Sequence, residues 1–311
     1  MEKTIIKLFS VFNKTMSQFL RKVVVFLTIP VIFILVVLIG LNFLVKTDYK
    51  IKPDINSLFI GDSHIQQTFN DNLIPQSLNC GIASESFYFS YFKLKYLLDE
   101  NPSIKNVYLG LSFHSLSNYY ERFISGDYSA SVAPKYFFIL PWKEQLRLIY
   151  WNKANFVSFL REVLNIGFYQ VFNGQVYPFI GGYLEQFSET FAVDSSMNKR
   201  LKFQYFNNGK LNSFSQFNIY YLNKIISLCK KQGVHLVMVN TPLHEYYYKK
   251  IPKKYKDELF EIVAKNHLNY IDFSKLQLKD NCFTPDGDHV STIGAVKTSK
   301  MIKVIIDESQ K

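Results

Sequence analysis

The chain has 311 residues, 36 Lys and Arg against 25 Asp and Glu, 48% hydrophobic residues and three cysteines. This composition excludes a disordered chain, a collagen-like repeat and a small disulfide scaffold. The net charge of +11 is spread over lysine-bearing segments such as Lys249, Lys250, Lys253 and Lys254. It reads as a solvated surface, with attraction to anionic lipid or glycan second; no recognition motif accompanies it, so nucleic acid is not an expected partner.

Residues 1–22 form a basic leader, with Lys3, Lys7, Lys14, Arg21 and Lys22 against Glu2 alone. Residues 23–45 then run without a charge, about the length needed to cross a bilayer core as a helix, and Pro30 is tolerable inside it. The segment is too long for a cleaved signal peptide, and Lys46, Thr47, Asp48, Tyr49 and Lys50 offer no small-residue cleavage site. A retained signal anchor in the plasma (inner) membrane is therefore expected. Its basic flank stays in the cytoplasm, and residues 46–311 form one extracytoplasmic domain.

Within that domain, short runs rich in Val, Ile and Leu at 56–60, 106–111, 234–240 and 269–273 predict strands buried on both faces. Helical patterns fall at 87–99, 143–163, 214–232, 253–268 and 292–307, the last with Ser291 as N-cap. Strands alternating with helices predict an α/β fold with a parallel sheet covered on both sides. An aromatic, Gly/Ser/Asn-rich stretch around 117–213 breaks the rhythm and reads as an insertion, either a substrate surface or lid or a structural subdomain. Cys80, Cys229 and Cys282 lack metal-ligand spacing and read as buried thiols; a Cys80–Cys282 bridge stays open.

Two segments carry chemistry. Phe59-Ile60-Gly61-Asp62-Ser63-His64 follows the first strand, at the carboxyl edge where open α/β sheets bind ligands. A serine at a helix start has its own N–H and the helix dipole available for an oxyanion, although Asp62 and Ser63 also suit a simple capping turn. Near the C-terminus, Pro285-Asp286-Gly287-Asp288-His289-Val290-Ser291 offers a base, His289, and an acceptor three residues earlier, Asp286, that would fix its tautomer. The alternative is a surface turn with Asp288 as a helix-proximal acid and His289 exposed.

Together these blocks resemble the SGNH hydrolase family, also called GDSL-like hydrolases, over most of residues 55–307. The resemblance implies a flavodoxin-like three-layer α/β/α fold with Ser63 as nucleophile, His289 as general base and acid, and Asp286 as its orienter. It assigns oxyanion donors to the N–H groups of Ser63 and of Gly81, which lies in Leu78-Asn79-Cys80-Gly81-Ile82. The family's third block, Gly-x-Asn-Asp, reads here Gly110-Leu111-Ser112-Phe113-His114-Ser115, so Ser112 or His114 would have to replace the missing asparagine. His64 stands where leucine is common. With the anchor, the resemblance is closest to the family's cell-envelope branches. It implies a cofactor-free serine esterase or O-acyltransferase, most simply O-acetyl, working on an acylated or acyl-accepting envelope polysaccharide, with a membrane O-acyltransferase as a partner in the transferase case.

Asp62, His64 and His244, the last just past a strand end, are candidate substrate-binding residues; Tyr246, Tyr247 and Tyr248 read as surface aromatics or sugar-stacking rings, and His235 and His267 carry no role. Two rival readings remain. A metal-dependent phosphoesterase would use His64, His114 and His289, but the further ligand segments that two-metal sites need are absent. A non-catalytic protein of the same fold would bind glycan or a partner in envelope assembly.

Overall fold

The structure is a computed structural model that describes residues 2–174, 176–187 and 193–309. A long helix, α1 (Glu2–Leu44), precedes the domain, and its Thr15–Leu44 portion is long and apolar enough to cross a membrane. Its C-terminal end packs against the domain: Leu38, Leu41 and Val45 are buried, while most of residues 15–37 are exposed.

Five strands form one parallel sheet: β1 (Ser57–Ile60), β2 (Ser77–Asn79), β3 (Asn106–Gly110), β6 (His235–Asn240) and β7 (Asn269–Asp272), in the order β2-β1-β3-β6-β7. This is the doubly wound order, and its crossovers place helices on both faces. The register pairs Ser57 with Ser77 and Asn106, Asn106 with His235, and Val237 with Asn269. Alternation along the strands splits the core in two. Leu58, Ile60, Val107, Leu109 and Met238 belong to a large cluster with α3 (Phe87–Glu100), α8 (Gln216–Gln232) and α10 (Lys253–Lys265). Phe59, Tyr108, Val237 and Val239 face the other way, toward α2 (Ser63–Thr68) and α11 (Thr292–Ser309). The result is a three-layer α/β/α arrangement.

The expected 143–163 helix is instead two: α5 (Trp142–Trp151) and α6 (Phe156–Asn173). The break comes at Asn152, whose amide donates to the Ile124 and Leu148 carbonyls at 3.0 and 2.8 Å and turns the chain. Before them, a short α4 (Ser129–Val132) and 3₁₀ turns at Phe113–Leu116, Asn118–Phe123 and Ala133–Ile139 fill the aromatic stretch. After them come α7 (Asp194–Tyr205), a hairpin of β4 (Phe206–Asn207) and β5 (Lys210–Leu211), and later α9 (Glu245–Lys250). Ser291 accepts from Gly294 N at 3.4 Å at the start of α11. All three cysteines are free and buried, and burial pushes the Cys80 thiol up to about 12. The wholly buried Lys93 ammonium on α3 is paired with Glu85 and also donates to the Cys80 carbonyl.

Candidate active site

The site begins with a glycine. Gly61 follows β1 at φ +152°, a conformation side chains rarely adopt, and a Cβ there would meet Ile65 Cγ1 at 2.7 Å. The tight turn this permits starts α2 at once, with Asp62 as N-cap accepting from His64 N at 2.9 Å. Ser63 is therefore the first residue of α2, where a backbone N–H has no partner within the helix. It is 8% exposed.

The second block arrives on the loop before α11. A bridge between Phe283 and Val290 and the Thr284 N–His289 O bond (3.0 Å) fold residues 283–290 into a turn with Gly287 at φ +62°. Within that turn Asp286 Oδ2 lies 2.8 Å from His289 Nδ1, and Asp286 Oδ1 accepts from Thr284 Oγ1 at 2.7 Å. His289 Nε2 lies 2.8 Å from Ser63 Oγ, across 226 residues of sequence. Burial would push the Asp286 carboxyl up, but the neighbouring His289 outweighs it and holds the group below the usual carboxylate range. An ionised Asp286 keeps a proton on Nδ1 and leaves Nε2 free to accept from the serine hydroxyl.

Behind this relay lies a second, fully enclosed set of charges. His114 Nε2 is 3.0 Å from Asp62 Oδ2, which also accepts from the Tyr120 hydroxyl. His64 Nδ1 is 2.7 Å from Thr241 Oγ1, and its Nε2 is 3.3 Å from Asp288 Oδ2. The two imidazoles are tilted against each other, 4.4 Å between centroids, and His64 is 4.8 Å from His289. Burial alone would lower both. For His64 the carboxylates of Asp288 and Asp62 outweigh burial and raise it, whereas burial and the His64 charge lower His114. Asp62 and Asp288 are held low despite burial, each by His64 first.

Sequence reading missed Arg200 and Gln204, which α7 brings in from the insertion. Arg200 Nε donates to Asp288 Oδ2 at 2.7 Å, and Gln204 Nε2 donates to the same oxygen at 2.7 Å. Arg200 Nη2 is 3.5 Å from His289 Nε2, the atom that faces Ser63. Asp288, read as a helix-proximal acid, is wholly buried and joins α7 to His64. Nothing in the local sequence around Arg200 signals this role; the only hint is the second aspartate in Asp286-Gly287-Asp288-His289.

Several expected site residues are engaged elsewhere. The Gly81 N–H donates to Asn79 Oδ1 at 2.7 Å, and a Cβ on Gly81 would lie 2.4 Å from Gln66 N, so this glycine lets β2 press against α2. Ser112 N donates to Ser115 Oγ, and the His114 ring is turned to Asp62. Asp62 and His64 are buried, Asp62 engaged by His114 and Tyr120 and His64 Nδ1 by Thr241, rather than lining an open surface as expected of substrate-binding residues. His244 caps α9, accepts from Tyr246 N, and packs on Phe283 beside the Asp286–His289 turn. Of the tyrosine run, Tyr247 is wholly buried and donates to Gln204 Oε1, which overturns its reading as a surface ring.

Donor atoms of His64, His114 and Asp288 lie within 4.8 Å of one another, a spacing a metal ion could bridge. Arg200 and Gln204 already fill Asp288 Oδ2, so the carboxylate charge is met by a guanidinium. Phe203, whose ring is 6.0 Å from the Arg200 guanidinium, also lines a cavity of about 410 Å³ with Tyr119, Glu121, Arg122, Asp127 and Asn212.

No family model and no curated protein matches the chain. Among solved structures, similarity is found to a Bacteroides fragilis protein provisionally assigned as an acylhydrolase, with 10% identity, 87% of this chain and 94% of that one covered, and a TM-score of 0.38. A Streptococcus pneumoniae protein provisionally assigned as a platelet activating factor is similar at 14% identity, with 86% and 90% covered and a TM-score of 0.39. At that level neither informs the chemistry of this chain.

Proposed function

We propose that this protein is a serine-dependent acyl-ester enzyme of the SGNH type, anchored in the plasma membrane by α1 with its domain on the outer side. The observation that carries the reading is the unbroken contact Ser63 Oγ to His289 Nε2 to Asp286, with 2.8 Å at each step and the serine at a helix start. In the reaction, His289 takes the Ser63 proton as Oγ bonds to the ester carbonyl carbon. The tetrahedral intermediate collapses, the C–O bond of the leaving alcohol breaks, and His289 returns the proton to that alcohol. Water or a glycan hydroxyl then repeats the sequence in reverse on the acyl-serine.

The Ser63 N–H supplies one oxyanion donor. The Gly81 N–H is already taken, and Arg200 is the charged donor best placed to share the load, since Nη2 faces the same imidazole nitrogen as the serine. The cavity lined by Phe203, with aromatic rings and three amides (Asn118, Asn207 and Asn212) in its wall, suits a sugar acceptor, which supports an envelope polysaccharide as substrate and O-acetyl transfer or removal as the activity. A membrane O-acyltransferase would be the acyl source in the transfer direction. One observation favours a second reading, a glycan-binding protein without turnover: the family's usual glycine donor is spent on Asn79.

Detergent-solubilised full-length protein, wild type, Ser63→Ala and Asp286→Asn, decides between them with a fluorophosphonate probe and an acetyl-ester reporter. Labelling and turnover are expected in the wild type, are absent in Ser63→Ala, and fall by about a thousandfold or more in Asp286→Asn through loss of the correct tautomer. A folded wild-type protein that neither labels nor turns over rejects the enzyme and leaves the binding protein.

A further inference from the structure

The geometry points to a second membrane contact: the C-terminal half of α6, together with the start of α5, forms a seat that rests in the outer lipid interface beside α1. The inference rests on the reading of α1 as a membrane span.

The two elements meet α1 directly. A Cβ on Gly167 of α6 would lie 2.8 Å from Leu41 Cδ1, and Gln145 of α5 donates to Asn42 Oδ1 at 2.7 Å. Leu41 lies three residues inside the end of the apolar Thr15–Leu44 stretch, about 4.5 Å along the helix axis. Whatever touches Leu41 therefore sits at the depth where hydrocarbon gives way to headgroups. Around that contact the domain surface is of the kind lipid accepts. Residues 163–184 contain no Asp, Glu, Lys, Arg or His. Phe168, Tyr169 and Phe172 project from α6 with Phe172 80% exposed, and Trp142, one turn before Gln145, is 49% exposed. Phe168 and Phe172 stack on each other, with centroids 6.3 Å apart, and between Ile166, Tyr169, Val176 and Pro178 runs an almost purely apolar groove. Tryptophan and tyrosine at this depth are the usual anchors of a bilayer interface, and an aromatic face without charge is otherwise costly to leave in water. The occupant is the bilayer itself, since the face is continuous with the helix that enters it.

The test uses full-length protein reconstituted into phosphatidylcholine vesicles with or without brominated acyl chains. The chain has two tryptophans, so Trp151→Phe leaves Trp142 as the one reporter. Its emission is expected to fall several-fold in brominated lipid. A control carrying Trp142→Phe, Trp151→Phe and Val304→Trp, with its reporter on α11 at the opposite face of the sheet, is expected to be unaffected. Equal Trp142 emission in both lipids, in protein that resists alkaline carbonate extraction, overturns the seat while leaving the span intact. Protein released by carbonate overturns the span and the seat with it.

Discussion

Arg200 shows how much of this site depends on one side chain outside the motifs. Its Nε holds Asp288 while Nη2 reaches His289, so a single guanidinium both neutralises the buried carboxylate and borders the imidazole nitrogen that faces Ser63. Carboxylate geometry suits the planar fork, which lysine lacks. Arg200→Ala is expected to lower kcat by about a hundredfold, with Arg200→Lys intermediate, and KM for a small acetyl ester is expected to change little. If kcat per folded molecule is unchanged while only the unfolding midpoint drops, the residue is structural and the donor must be sought elsewhere. Ser63, Asp286 and His289 were legible because each lies in a short block whose spacing has chemical meaning. Arg200 was not, because its partners come from remote parts of the chain and its own helix has an unremarkable composition. His64 was visible only as a departure from leucine; that it answers Asp288 emerges only when the loop before α11 is laid against α2.

At the level of elements, α2 is positioned from below by β2. Asn79 gives its amide N–H to the Ile65 and Phe69 carbonyls at the end of α2 and takes the Gly81 N–H on its oxygen, and Gly81 touches the α2 backbone at Gln66. A Gly81→Ala methyl therefore pushes on the helix that carries the serine. Overpacking of this kind costs about 1–3 kcal/mol. Ester turnover is expected to fall by more than the stability loss explains, measured as kcat beside the urea midpoint; a variant with normal turnover would show that α2 tolerates the shift. The four longer strands were readable because continuous Val, Ile and Leu runs admit few alternatives. The short β2 and the turns between Phe113 and Ile139 were not, since they are fixed by side-chain amides and hydroxyls that bond backbone groups far away, and α5 and α6 merged because Asn152 breaks the helix through tertiary bonds rather than through a proline or glycine.

Across the whole molecule the buried charges set a pH window. Asp62, Asp286 and Asp288 are held below their ordinary 3.8 in the folded state, so near and below that value the unfolded chain binds more protons and stability is lost as pH falls. His114, lowered by burial, adds to the loss below its ordinary 6.5. His64 is raised, so its contribution is complete below 6.5 and fades as pH rises through its folded value. Urea midpoints of the detergent-solubilised chain at about pH 3, 5, 7 and 9 are expected to peak in the middle and fall most steeply toward pH 3. A profile that is flat down to the acid end would mean the carboxylates are not held as described.

The sheet's second apolar face has a consequence for biosynthesis. Phe59, Ile65, Phe69 and Val239 are covered by Ile302 and Ile306 of α11, a helix made after every strand of the sheet. Until α11 is made, the growing chain holds a finished sheet with one greasy side bare. A nascent chain in that state invites misassembly and calls for a holding chaperone. A message cut short before α11 therefore yields sticky protein prone to misassembly rather than a slightly less stable fold.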